Sequence, residues 1–157
     1  MSQPPYTDSF RPEFASLAEA MLRDRQIAYP KLVDESALDA ATAKRRLYVL
    51  RAIAEIWRCA TNGLMPRPSH IRVTRDQLLE ELATSIDTAE RRLRHRPDDR
   101  VRQGQLAALV AMRWWHAQYP GSASYALSMA LSLRYDGLQA MLEADRKAEK
   151  LVSKAAA

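Results

Sequence analysis

Apolar residues recur along this chain at three- and four-residue intervals, the period of helices packed on one face. Phe14, Leu17, Ala18, Met21 and Leu22 form the first such stripe and predict a helix from about Glu13 to Ala28. Pro30 should kink or end it, because proline lacks the amide and clashes with the preceding turn. Tyr29-Pro30-Lys31-Leu32-Val33 leaves room for one further turn. A second seam, Ala43, Leu47, Leu50, Ala54 and Trp57, is widened by Val49, Ile53 and Ile56, so the helix carrying it is expected to be central. Ser36 is its expected cap, Asp39 suits its first turn, and Asn62-Gly63 should end it near Ala60.

Residues 62–73, with Pro66 and Pro68, read as a loop. Thr74 followed by Gln77 has the spacing of a capping box and predicts the start of a third helical stretch that Pro97 ends. Asp98 and Asp99 suit the start of a fourth helix, carrying Leu106, Leu109, Val110, Met112 and Trp114 and stopping at Tyr119-Pro120-Gly121. From Tyr125 to Tyr135 large apolar and smaller residues alternate as in a strand, but Ala, Leu and Met dominate and no β-branched residue occurs. Composition favours a buried helix there. A charged segment from Glu143 to Lys154 is expected to be a solvated helix fraying at Ala155-Ala156-Ala157. The expected fold is all-α: a compact bundle of about five helices with a helical hairpin in the N-terminal half. Residues 1–12 form an irregular arm, 13–142 a single helical domain, and 143–157 a charged tail.

Composition agrees with this reading. Of 157 residues, 47% are hydrophobic and 27% charged, β-branched residues are scarce and only four are glycine, which are helix-forming choices. The lone Cys59 excludes an internal disulfide and a cysteine-based zinc site, and reads as a buried, inert thiol. Without a basic-apolar leader or a bilayer-length apolar run, the expected compartment is the cytoplasm, with no membrane contact. A formal charge of +5 admits nucleic acid or an acidic protein as partner.

Enzymatic signals are weak. His70, His95 and His116 are scattered, and none belongs to a metal-binding H-E-x-x-H pattern. No G-x-S-x-G elbow and no glycine-rich phosphate loop occurs. Glu80-Glu81 and Asp98-Asp99 read as helix-surface and helix-start residues rather than a catalytic pair. No enzyme activity, cofactor or metal is expected.

The segment Val73 to Leu93 carries more information. Leu78 and Leu82 supply apolar contacts, Ser85 suits a helix cap, and Ala89 and Leu93 suit the packed face of a second helix. This arrangement resembles a helix-turn-helix over residues 74–93. The resemblance implies that Thr88, Arg91 and Arg92 face the major groove and that Arg94 and Arg96 serve phosphate or base contacts. Two departures are evident: Ala83 stands where the turn usually has glycine, and Asp87 and Glu90 put negative charge where phosphates would approach. Leu82, Ile86, Ala89 and Leu93 also make one continuous apolar seam, so a single unbroken helix fits the same residues. The basic run continues through Arg100 and Arg102, and Lys44-Arg45-Arg46 forms a smaller patch.

A second resemblance spans residues 21–53. Met21 to Val33, with its arginines and Tyr29-Pro30, followed by Leu38, Ala43 and Leu50-Arg51-Ala52-Ile53, is similar to short, functionally unassigned helical proteins of bacteriophages and prophages. Glu35-Ser36 stands where those have a small glycine turn. The resemblance implies a helical hairpin and a mobile-element origin. Trp114-Trp115-His116 adds adjacent indoles pointing about 100° apart, so one is expected in the core and the other at a surface or interface. Two functional expectations follow. One is a DNA-associated, regulatory protein contacting duplex through Thr88, Arg91, Arg92, Arg94, Arg96, Arg100 and Arg102. The other is a non-enzymatic interaction module that binds an acidic protein, or itself, through exposed Arg and Trp114 or Trp115.

Overall fold

The computed structural model describes residues 12–62, 64, 66–67, 71–117 and 142–156. The fold is all-α. Helices α1 (Pro12–Asp34), α2 (Ala40–Asn62), α3 (Arg75–His95) and α4 (Arg100–Ala117) pack together, residues 142–156 are helical and exposed throughout, and no strand occurs among the described residues. α1 packs most extensively on α2 and α3 on α4. The two pairs meet through α2–α3 and α1–α4 contacts. The alternating stretch Tyr125–Tyr135 and the arm over residues 1–11 lie outside the described residues.

Each helix buries the face its apolar period predicts. α2 is central, as expected: Leu50, Ile53, Ile56 and Trp57 are fully buried in it, and each such side chain contributes about 1.5–3 kcal/mol of transfer free energy. Phe14 and Ala18 of α1, Leu78 and Leu82 of α3, and Ala111 and Met112 of α4 complete the core. Trp57 is its hub. The Phe14 ring meets it edge-on with centroids 5.1 Å apart, and its indole Nε1–H donates to Nε2 of His116 on α4 at 3.1 Å.

Local chemistry sets the ends. Asp39, not Ser36, caps α2: its carboxylate accepts from the Thr42 amide at 2.9 Å. Ser36 instead terminates α1. Its φ of 56° places it in the left-handed region, its amide donates to the Val33 carbonyl, and the Ala37 amide donates to that of Leu32. This is the Schellman arrangement, usually closed by glycine. The Thr74–Gln77 capping box forms as expected, with reciprocal bonds of 2.9 and 3.2 Å. Asp99 caps α4 by accepting from the Arg102 amide at 3.1 Å.

Two expectations are corrected. Pro30 does not end α1; the helix continues through the further turn for which the sequence left room, to Asp34. Tyr29 beside it is buried against α2, with the Arg46 guanidinium 5.7 Å from its ring centroid, and this packing outweighs the hydrogen bond that Pro30 forfeits. α3 is likewise unbroken from Arg75 to His95, so the turn of a helix-turn-helix is absent. Ala83 gives the chain no glycine for a left-handed turn, while Leu78, Leu82, Ile86 and Ala89 pack on the core as one stripe. Thr84 and Thr88 hydroxyls donate to carbonyls one turn back, to Glu80 and Thr84 at 3.0 Å each.

Candidate anion-recognition corner

The sequence-predicted contact residues lie on the last turns of α3 and the first turn of α4, joined by a short turn over residues 96–99. Arginines hold this hairpin at both ends. At one end Arg75 donates to the Ala117 carbonyl. At the other Arg102 Nη1 donates to the Arg92 carbonyl at 3.3 Å while its Nε pairs with Asp99 at 3.2 Å. Cationic groups suit helix C-terminal carbonyls, where the backbone dipole is negative.

The remaining arginines divide into two sets. Arg91 folds along its own helix, donating to the Asp87 carbonyl and to Thr88 Oγ1 at 3.4 Å each. Arg94, Arg96 and Arg100 are exposed and have no partner among the described residues. Thr88 is half-buried and already bonded to Thr84, so it does not face outward as a base-reading residue. Thr88, Arg92 and Arg102 instead line a cleft of about 450 Å³ between α1, α3 and α4, joined there by Asp24 and Arg25 of α1. Glu90 and Asp98 are exposed on the same corner.

The aromatic pair divides as its spacing requires. Trp115 is buried in the core. Trp114 is half-buried, meets Trp115 edge-on at 5.0 Å, and lines a separate groove of about 390 Å³ with Ile86 and Val110.

Other expectations are revised. Glu81 is buried rather than on the surface, bound bidentately by Arg46 at 2.9 and 3.0 Å. This hydrogen-bonded pairing raises the Arg46 pKa further and removes Arg46 from the free basic surface. Glu81 adjoins Leu82 and follows Leu78 by one turn, which places it in the apolar seam; that position was the available sequence signal. Ser85, expected as a helix cap, lies mid-helix and buried, its hydroxyl without a hydrogen-bond partner. Cys59 is buried as expected, and burial pushes its thiol pKa up.

His116, one of the three histidines scattered along the sequence, sits near the end of α4. It lies fully buried, accepting from Trp57, and burial lowers its pKa from 6.5 to about 3. The ring is therefore neutral at ordinary pH. Among the described residues no group of His, Cys, Asp and Glu could hold a metal ion, and no helix is long and apolar enough to cross a membrane. His70 lies outside the described residues, and His95 is exposed. Comparison with protein-family models, with curated proteins and with solved structures finds no match to this chain.

Proposed function

We propose that this protein is a non-enzymatic interaction module whose arginine-rich corner docks an acidic protein partner. One observation carries the reading: Arg94, Arg96 and Arg100 lie exposed at the turn end of the α3–α4 hairpin with no carboxylate engaged among the described residues. Guanidinium groups left in this state bind carboxylates bidentately. The exposed Glu90 and Asp98 favour a protein over a nucleic acid, since a polypeptide can place a basic or neutral residue opposite each acid and a continuous phosphate rail cannot. The unbroken α3 lies along α4 and offers no projecting recognition helix.

Duplex DNA is the second reading, favoured by the exposure of Arg91 and Arg92. Fluorescence anisotropy with a labelled glutamate-rich peptide and with a labelled duplex, each across a salt series, separates the two. The expected result is salt-sensitive peptide binding, lost when Arg94, Arg96 and Arg100 are all changed to Glu, and weaker duplex binding at the same salt. Tighter binding of the duplex, with the peptide left free, selects DNA. Binding of neither probe at low salt removes both readings.

A further inference from the structure

The cleft between α1 and the α3–α4 hairpin carries features that the corner does not explain. Its volume of about 450 Å³ lies within the roughly 300–1,000 Å³ usual for small-molecule sites. Leu17 and Met21 from α1, Ala89 from α3 and Leu109 from α4 give its wall an apolar stretch.

Ser85 lines the same cleft. It is 4% exposed, and its hydroxyl is bonded to nothing. A serine inside a helix commonly donates to the carbonyl one turn back, as Thr84 and Thr88 on either side of it do. Ser85 keeps its hydroxyl unspent, and a buried polar group in that state is costly unless something arrives to bond it.

Arg92 lies seven residues further on, on the same face of α3, and its guanidinium has no partner among the described residues. The axial rise between the two positions is about 10 Å. Arg25, Arg92 and Arg102 face Asp24 and Asp99 around this wall. The cleft thus carries one net positive charge, enough for a single anionic group and repulsive to a second.

We propose that this cleft binds a small organic monocarboxylate whose apolar body carries a hydroxyl or carbonyl oxygen at its far end. The carboxylate pairs with Arg92, the body lies on Leu17, Met21, Ala89 and Leu109, and the distal oxygen bonds Ser85 Oγ. The site does not use Arg94, Arg96 or Arg100, so it stands or falls independently of the docking corner.

The test is titration of the full chain, by calorimetry and amide NMR, with a hydroxyphenylpropionate and an ω-hydroxyoctanoate, each beside its deoxy analogue and its neutral amide. The hydroxy acids should bind and shift the Ala89 and Leu109 amides. Amidation, or Arg92→Gln, should weaken binding about tenfold, and Ser85→Ala should erase an about tenfold preference for the hydroxylated member. Arg92 is exposed, so Arg92→Gln leaves the fold intact and decides the charge contact by itself. The proposal is overturned if neither pair shifts those amides at millimolar concentration. It is equally overturned if Arg92→Gln binds acid and amide as the unsubstituted protein does.

Discussion

Acidification should destabilise this protein through one imidazole. His116 is fully buried and accepts the Trp57 indole hydrogen, and its folded-state pKa is about 3 against an ordinary 6.5. Below about pH 6.5 the unfolded chain takes up a proton that the folded chain refuses, so protons favour unfolding. The stability is fully present above that pH and is lost as pH falls toward about 3. At ~1.4 kcal/mol per pH unit the full loss is about 5 kcal/mol, of which about 2.7 kcal/mol is spent by pH ~4.5. Against a typical total of roughly 5–15 kcal/mol this is a large share. Urea unfolding followed by far-ultraviolet circular dichroism at about pH 7.5 and 4.5 should show the midpoint falling by about 1–2 M. His116→Gln keeps an acceptor for Trp57 but takes no proton, so its loss between the two pH values should be smaller by about 2.7 kcal/mol. In the folded protein the His116 ring should not titrate by NMR across that range. A native His116 that titrates near pH 6, or a variant with an unchanged pH slope, refutes the reasoning.

Three substitutions probe the backbone and the buried pair. Ser36→Gly should relieve the left-handed serine at the end of α1 and stabilise by about 0.5–1 kcal/mol, net of the glycine's own entropy, read as a raised thermal midpoint. Ala83→Gly lies inside unbroken α3 and should cost about 1 kcal/mol in urea unfolding; a gain would mean that the chain turns there. Glu81→Gln should cost about 3 kcal/mol by leaving Arg46 without its carboxylate, whereas joint Arg46→Met and Glu81→Leu should recover most of the loss in a double-mutant cycle.

The helical fold was legible because its signals are local. Apolar spacing marked the buried faces, the Thr74–Gln77 box marked the start of α3, and Asp98-Asp99 marked the start of α4 to within one residue. Tertiary packing decided the misread positions. Pro30 reads as a kink or a stop with room for one further turn, and Tyr29 packed against Arg46 holds that last turn of α1 in place. Ser36 and Asp39 both suit a cap, and only the path of the chain between α1 and α2 assigns the cap to Asp39. The same seam from Leu78 to Leu93 serves one helix or two, and sequence cannot choose between them. The arginine corner was legible as a cluster because its members are near neighbours in sequence. The cleft was not, since nothing in the chain announces that Leu17 and Met21 face Ser85 and Arg92, or that Arg46 meets Glu81 across 35 positions.

The pairing of helices has a kinetic consequence. Each hairpin joins helices adjacent in sequence and packs more extensively within itself than across to the other. Short loops close at small entropic cost, so each pair is suited to form early and the docking of the two pairs to come last. Native-state hydrogen exchange should then show two protected blocks with separate opening free energies, one in α1–α2 and one in α3–α4. Trp57–His116 and Arg46–Glu81 bridge the seam between the blocks. They therefore act as the latch of the last assembly step, and releasing either should accelerate unfolding far more than it slows folding.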